Sequence, residues 1–394
     1  MKKQKIYSAI LAAILTIGIN ELVFSKWFPN VSNVTISSLF AGPTPTEKVT
    51  KKVQVALLLD TSDSMDGLIE QAKSQLWQIL NTLAKTEHEQ YESTLEIALY
   101  EYGNPSRATR ENQIRQLSGF TTDMDLISEI LFSLKTDGGD EYCGAVIETS
   151  IQNLEWGQND NDLKMIYIAG NEPFTQGPVN YAEACRLAKK ENIFVNTIYC
   201  GNAQEGIQTM WKQGADLADG VYMNIDHNQT TTYIETPFDD KINDLNEKLN
   251  DTYIPYNHKG KSKKEAQKAQ DNNAYSYSKA NAADRAAFKS SKGYTNKWDI
   301  VDAYKKDKKV LEKTEMKALP DTMQNLSIED LEREIEEIAA KRESIQKEIL
   351  ENTQKRNEFI EKNSKVEGDV QNLNSSIKRT IEKQAKQKGY KLNN

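Results

Sequence analysis

Apolar positions along this chain fall into five stretches of different pattern. Residues 6–19 form a nearly unbroken apolar run behind Lys2, Lys3 and Lys5. Residues 26–50 have no helical period and carry Pro43 and Pro45 among serines and threonines, the composition of a linker. From residue 51 short continuous apolar runs alternate with helix-like stretches. Residues 53–59, 95–100, 165–169, 193–199 and 220–225 predict strands, and 68–83, 126–134, 145–154 and 181–190 predict helices. Alternation of this kind predicts an α/β domain with a doubly wound, mainly parallel sheet over residues 51–250. Its ligand crevice is expected outside the carboxyl ends of the strands.

After residue 250 the pattern changes. Residues 251–325 are rich in Lys, Asn, Ser, Ala and Gln, with sparse apolar anchors such as Tyr253, Phe288, Tyr294, Trp298, Ile300 and Tyr304. This stretch is either a linker with short helices or an extension wrapped on the α/β domain. Over 326–385 the expectation is an all-α, coiled-coil-like region. Ile328, Leu331, Ile335, Ile338, Arg342, Ile345, Ile349, Asn352, Arg356 and Phe359 recur at alternating spacings of three and four. Three of these positions are polar, which weakens the seam, and Asn352 is a candidate for setting its register. A weaker stripe of Val370, Leu373, Ile377 and Ile381 follows Gly368, so the two segments either fold back as a hairpin or self-associate with another chain.

The apolar run at 6–19 has the length of a signal-peptide core and is short for a membrane span. Residues 1–25 are therefore expected to be a signal peptide cut after Ser25 or an uncleaved anchor; the run is not followed by the cysteine of a lipoprotein. The protein is expected to be exported, periplasmic or associated with the cell envelope. A net charge of −8 over 394 residues argues against a dedicated nucleic-acid binder. Cys143, Cys185 and Cys200 are too few for a disulfide scaffold, and the last two are expected as small buried apolar residues.

The strand at 53–59 runs directly into Asp60-Thr61-Ser62-Asp63-Ser64. One carboxylate and two hydroxyls at alternate positions offer hard oxygen donors of the kind that suit Mg²⁺, Mn²⁺ or Ca²⁺. In an extended segment Ser62 and Ser64 would share a face. This D-x-S-x-S after a strand resembles the metal-ion-dependent adhesion site (MIDAS) of von Willebrand factor A (vWA) domains. The resemblance covers about half the chain and implies a doubly wound α/β fold that binds protein partners through a metal. The strings at 169–174 and 196–201 are similar to exported bacterial vWA proteins with a helical C-terminal extension, a set without a settled activity.

Two further loops complete the site in that family, and both depart from its pattern here. Where a threonine follows Gly-Gly, this chain has Asp140 after Gly138 and Gly139. Where an aspartate follows the strand at 165–169, it has Gly170, then Asn171 and Glu172. Asn171 or Glu172 reaches the metal, or Asp140 supplies the missing charge, or the site no longer binds metal. The expected metal residues are Asp60, Ser62, Ser64, Asp140 and Glu172.

Three histidines, His88, His227 and His258, make no zinc-type spacing, and neither a nucleophile elbow nor a phosphate-binding loop occurs. A metal-activated hydrolase would have only Glu141 or Glu172 as a general base. The expectation is a non-enzymatic, metal-dependent interaction or adhesion module that captures a partner carboxylate. The alternative is a subunit of an envelope complex working with an ATPase on another chain.

Overall fold

The structure, a computed structural model, describes residues 50–105, 113–225, 235–291, 293–364 and 373–392. The N-terminal apolar run, the linker, His227, Gly368 and Val370 lie outside these residues.

In chain order the α/β part contains β1 (Lys51–Asp60), α1 (Ile69–Leu83), β2 (Thr86–His88), β3 (Ser93–Tyr102), β4 (Ile114–Thr121), α2 (Met124–Ser133) and α3 (Cys143–Asn153). It continues with β5 (Leu163–Gly170), α4 (Tyr181–Lys190), β6 (Ile193–Cys200), α5 (Ala203–Gln208), α6 (Trp211–Leu217), β7 (Tyr222–Ile225) and α7 (Asp239–Asn250). Six strands form one sheet in the order β4-β3-β1-β5-β6-β7, parallel except for β4. Successive residues of a strand face opposite ways, so a sheet covered on both sides needs apolar residues at every position. Strand β1 shows this. Val55, Leu57 and Leu59 join the core beneath α1 and α7, while Ala56 and Leu58 join the core beneath α3, α4 and α6.

The predicted α/β architecture is the one observed. Strand β4 was not predicted: Ser118 and Gly119 break its apolar pattern, and its antiparallel pairing with β3 carries register shifts. Helix α5 was also missed, and with it the break that separates it from α6. The two helices are short and separated by Met210, whose φ of 72° interrupts the helical backbone.

The remainder is helical: α8 (Gly260–Tyr277), α9 (Lys279–Lys289), α10 (Ile300–Lys306), α11 (Val310–Lys313), α12 (Ile328–Ser364) and α13 (Leu373–Gln387), ending in β8 (Tyr390–Leu392). Residues 255–325 are an extension wrapped on the α/β part: α8 lies on α2, and α9 lies on α1 and α7. The stretch reads as polar in sequence because its buried positions are alanines and ion pairs. Ala280, Ala283 and Ala286 let α9 approach closely, and Arg285 and Lys289 are buried in the same helix. Arg285 donates to Asp271 at 2.5 Å and Asp125 at 2.7 Å, while Lys289 donates to Asp271 at 2.6 Å. Of the basic run at 259–264, Lys263 pairs with Asp123 and Lys264 donates to the Tyr253 carbonyl.

The apolar stripe of α12 is covered by the same chain: buried Leu331 and Ile335 pack with Ile300, Val301 and Tyr304 of α10 and Leu311 of α11, and Ile345 and Ile349 join the core with α7 and α9. Its polar members anchor it. Arg342 donates to Asp299 at 2.7 Å, Asp302 at 2.8 Å and Thr252 at 3.0 Å. Arg356 donates to Asp239 at 2.6 Å and Asp284 at 2.8 Å. Asn352 donates to the Glu348 carbonyl one turn back in its own helix. Helix α13 covers α1 and β7, and β8 then pairs antiparallel with β2. All three cysteines are free and buried.

Candidate metal centre

In the sheet order, β1 has β3 on one side and β5 on the other, so the chain winds in opposite directions from it. That makes the carboxyl end of β1 the switch point of the sheet, where a crevice opens. Three strand ends meet there: Asp60 of β1, Tyr102 of β3 (paired in register with Asp60) and Gly170 of β5.

Asp60 is completely buried. Its Oδ1 accepts from the Ser62 backbone N–H at 2.8 Å, while its Oδ2 has no hydrogen-bond partner. Burial pushes its pKa up to about 7, opposed by hydrogen bonds from Ser62 and reinforced by the charge of Glu141. The Ser62 and Ser64 hydroxyls lie 2.8 Å apart. They converge for a different reason from the one the sequence suggested: residues 63–65 form a 3₁₀ turn, not an extended segment. Asn171 then holds Ser64 at two points, accepting from its hydroxyl and donating to its carbonyl, both at 3.0 Å.

The other expected residues divide. Asp140 is exposed, its carboxylate held by the Tyr142 hydroxyl at 3.1 Å and its backbone N–H by Gln113. The next residue, Glu141, is the one turned inward. It is 5% exposed, its carboxyl pKa is raised by burial, and the Ser62 hydroxyl touches it as it touches Asp60. Glu172 is half-buried; its charge acts on Glu141, and its backbone carbonyl accepts from the Trp211 indole at 2.7 Å. Sequence reasoning named Asp140 as a metal residue and Glu141 only as a possible general base, because a loop gives no period from which to tell which of two adjacent acids is turned inward.

Gly170 has a steric cause. A Cβ there would lie 2.5 Å from the Tyr102 hydroxyl and 2.9 Å from Asp60 Oδ2. The Tyr102 hydroxyl, donating to the Ala169 carbonyl at 3.0 Å, fills the space that a side chain on β5 would need. Cys143 lies 3.8 Å from the same hydroxyl, and burial raises its thiol pKa well above the ordinary value, so it is an inert packing residue.

The donor set fits a hard divalent cation. A buried carboxylate oxygen lacks a partner, two hydroxyls converge beside it, and a second carboxylate shares one of them. Among the described residues no group of three or more His, Cys, Asp or Glu could hold a metal ion by itself.

No family model and no curated protein matches the chain. Among solved structures it is similar to the conserved hypothetical protein BatB from Bacteroides thetaiotaomicron, at 17% identity over 44% of this chain and 90% of that one, with a TM-score of 0.33. It is also similar to the SpRpn10 VWA domain, at 19% identity over 44% and 88% of the two chains, TM-score 0.35. A third is proximal thread matrix protein 1 from the mussel byssus, with a zinc-occupied MIDAS motif, at 12% identity over 46% and 43%, TM-score 0.32. The vWA-like character of the α/β part stands on its own strand order and on the Asp60–Ser64 loop at the switch point.

Proposed function

We propose that the protein is a non-enzymatic, divalent-cation-dependent interaction module that captures a carboxylate of a protein partner at the carboxyl end of β1. The observation that carries this reading is the fully buried Asp60 with its unpartnered Oδ2 beside two converging hydroxyls. Asp60, Ser62 and Ser64 would hold Mg²⁺ or a similar ion, which would supply a Lewis-acidic contact for an outside oxygen. The chain itself orients the donors. The Ser62 N–H fixes one Asp60 oxygen, Asn171 fixes Ser64, and Tyr102 closes the floor beside Gly170. The basic and apolar N-terminal segment supports the reading that the protein is exported and that this surface works outside the cytoplasm.

Calorimetric titration of Mg²⁺ and Mn²⁺ into the purified chain, beside Asp60→Ala, tests the centre. Saturable binding that the variant abolishes is expected; an unresponsive wild type would sink the reading. Export is checked by the mass of the mature N-terminus recovered from cells.

A further inference from the structure

We infer that Glu141, and not Asp140, supplies the second carboxylate of the centre, in place of the acidic side chain that Gly170 has no room to carry. The inference deepens the divalent-cation reading above and rests on it.

The argument begins with space. On the β5 side of Asp60, any side chain at 170 would collide with the Tyr102 hydroxyl and with Asp60 itself. On the opposite side, at Gly103, the backbone has a φ of +78° and again lacks room for a Cβ. That atom would lie 2.8 Å from Asp60 Oδ1, 3.0 Å from Glu141 Cγ and 3.4 Å from Ser62 Cβ. Asp60, Ser62 and Glu141 are therefore gathered around one glycine.

Charge gives the second strand. Glu141 is nine-tenths buried or more, and so is Asp60. Among the described residues neither has an ion pair with a lysine or arginine, and the largest charge influences on Glu141 are the carboxylates Glu172 and Asp140. Two neighbouring buried carboxylates without a basic partner favour a proton or a cation between them. The unpartnered Oδ2 of the fully buried Asp60 is the independent sign that a donor is held ready for a ligand. Asp140 satisfies none of these conditions, since it is exposed and already bonded to Tyr142.

The test compares Mn²⁺ binding to the wild-type chain, Glu141→Gln and Asp140→Asn, read from the free-ion electron-spin signal. Thermal melting of each metal-free protein is the control for folding. Glu141→Gln is expected to weaken Mn²⁺ binding by about tenfold or more, since ligand charge count sets affinity at such sites. Its metal-free melting temperature should equal or exceed that of the wild type, because a neutral amide removes the repulsion from Asp60. Asp140→Asn is expected to bind within about twofold of the wild type, as an exposed change away from the donors should. Wild-type affinity in Glu141→Gln, or an equal loss in Asp140→Asn, would overturn the inference and leave the cation reading standing. Only a wild type that fails to bind Mn²⁺ would remove both.

Discussion

Two groups of buried carboxylates in this chain are treated in opposite ways. Beneath the helical extension Asp125, Asp239, Asp271 and Asp299 each receive an arginine or lysine. At the strand ends Asp60 and Glu141 lie beside each other with a hydroxyl between them and no ion pair among the described residues. The consequences for proton affinity are opposite. Lys289 and Arg285 overcome the burial of Asp271 and hold it well below the ordinary carboxylate range, whereas burial lifts Asp60 to about 7. Burying a charge is costly in both places. The extension meets the cost inside the chain; the strand ends leave it open, as the proposed cation site requires.

The largest effect should come from breaking the paired region. Arg342→Ala removes hydrogen bonds to Asp299, Asp302 and Thr252 and leaves Asp299 buried without its partner. A loss of about 3–5 kcal/mol is expected from denaturant unfolding; a loss under about 1 kcal/mol would show that α12 does not depend on this clamp.

Asp60→Asn acts in the other direction. The folded pKa of Asp60 lies above the unfolded value, so its contribution is intact below about pH 4 and is lost as pH rises towards 7. The metal-free variant should therefore exceed the wild type by up to about 4 kcal/mol at pH 8 and match it near pH 4. Saturating Mg²⁺ should close the gap at pH 8 by stabilising only the wild type. Parallel pH profiles for the two proteins would refute the charge imbalance at the strand ends.

Asp271→Asn sharpens the contrast, with a cost of about 3 kcal/mol at pH 7. The folded pKa of Asp271 lies below the unfolded value. Its stabilisation is thus present above pH 4 and lost as pH falls, and the gap between variant and wild type should narrow in acid. Urea midpoints between pH 2.5 and 7 check the slope, which must be opposite in sign to that of Asp60. The smallest effect is expected from Gly170→Ala. Its Cβ must displace the Tyr102 hydroxyl, an overpacking cost of about 1–3 kcal/mol, with Mg²⁺ binding weakened because Asp60 moves with it.

Sequence and structure agree where a residue's role depends on its near neighbours along the chain. The apolar run ending in Asp60 gave both the buried strand and the loop that carries the serines. The heptad stripe gave the length of α12, and alternation of periods gave the layered sheet. Its departures from expectation are also instructive. Two of the three polar seam positions, Arg342 and Arg356, are strong anchors, because aspartates from distant segments come to meet them.

By itself, then, the sequence determined the α/β class, the location of the candidate centre at the end of β1, and a long amphipathic helix after it. Hydrophobic period and strand-to-loop transitions are local, and each was legible within about ten residues. Tertiary structure alone decided which surface covers the α12 stripe, why position 170 must be glycine, and which of two adjacent acids faces Asp60. Each of those depends on atoms brought together from segments tens of residues apart, where space and unpaired charge, not period, select the side chain.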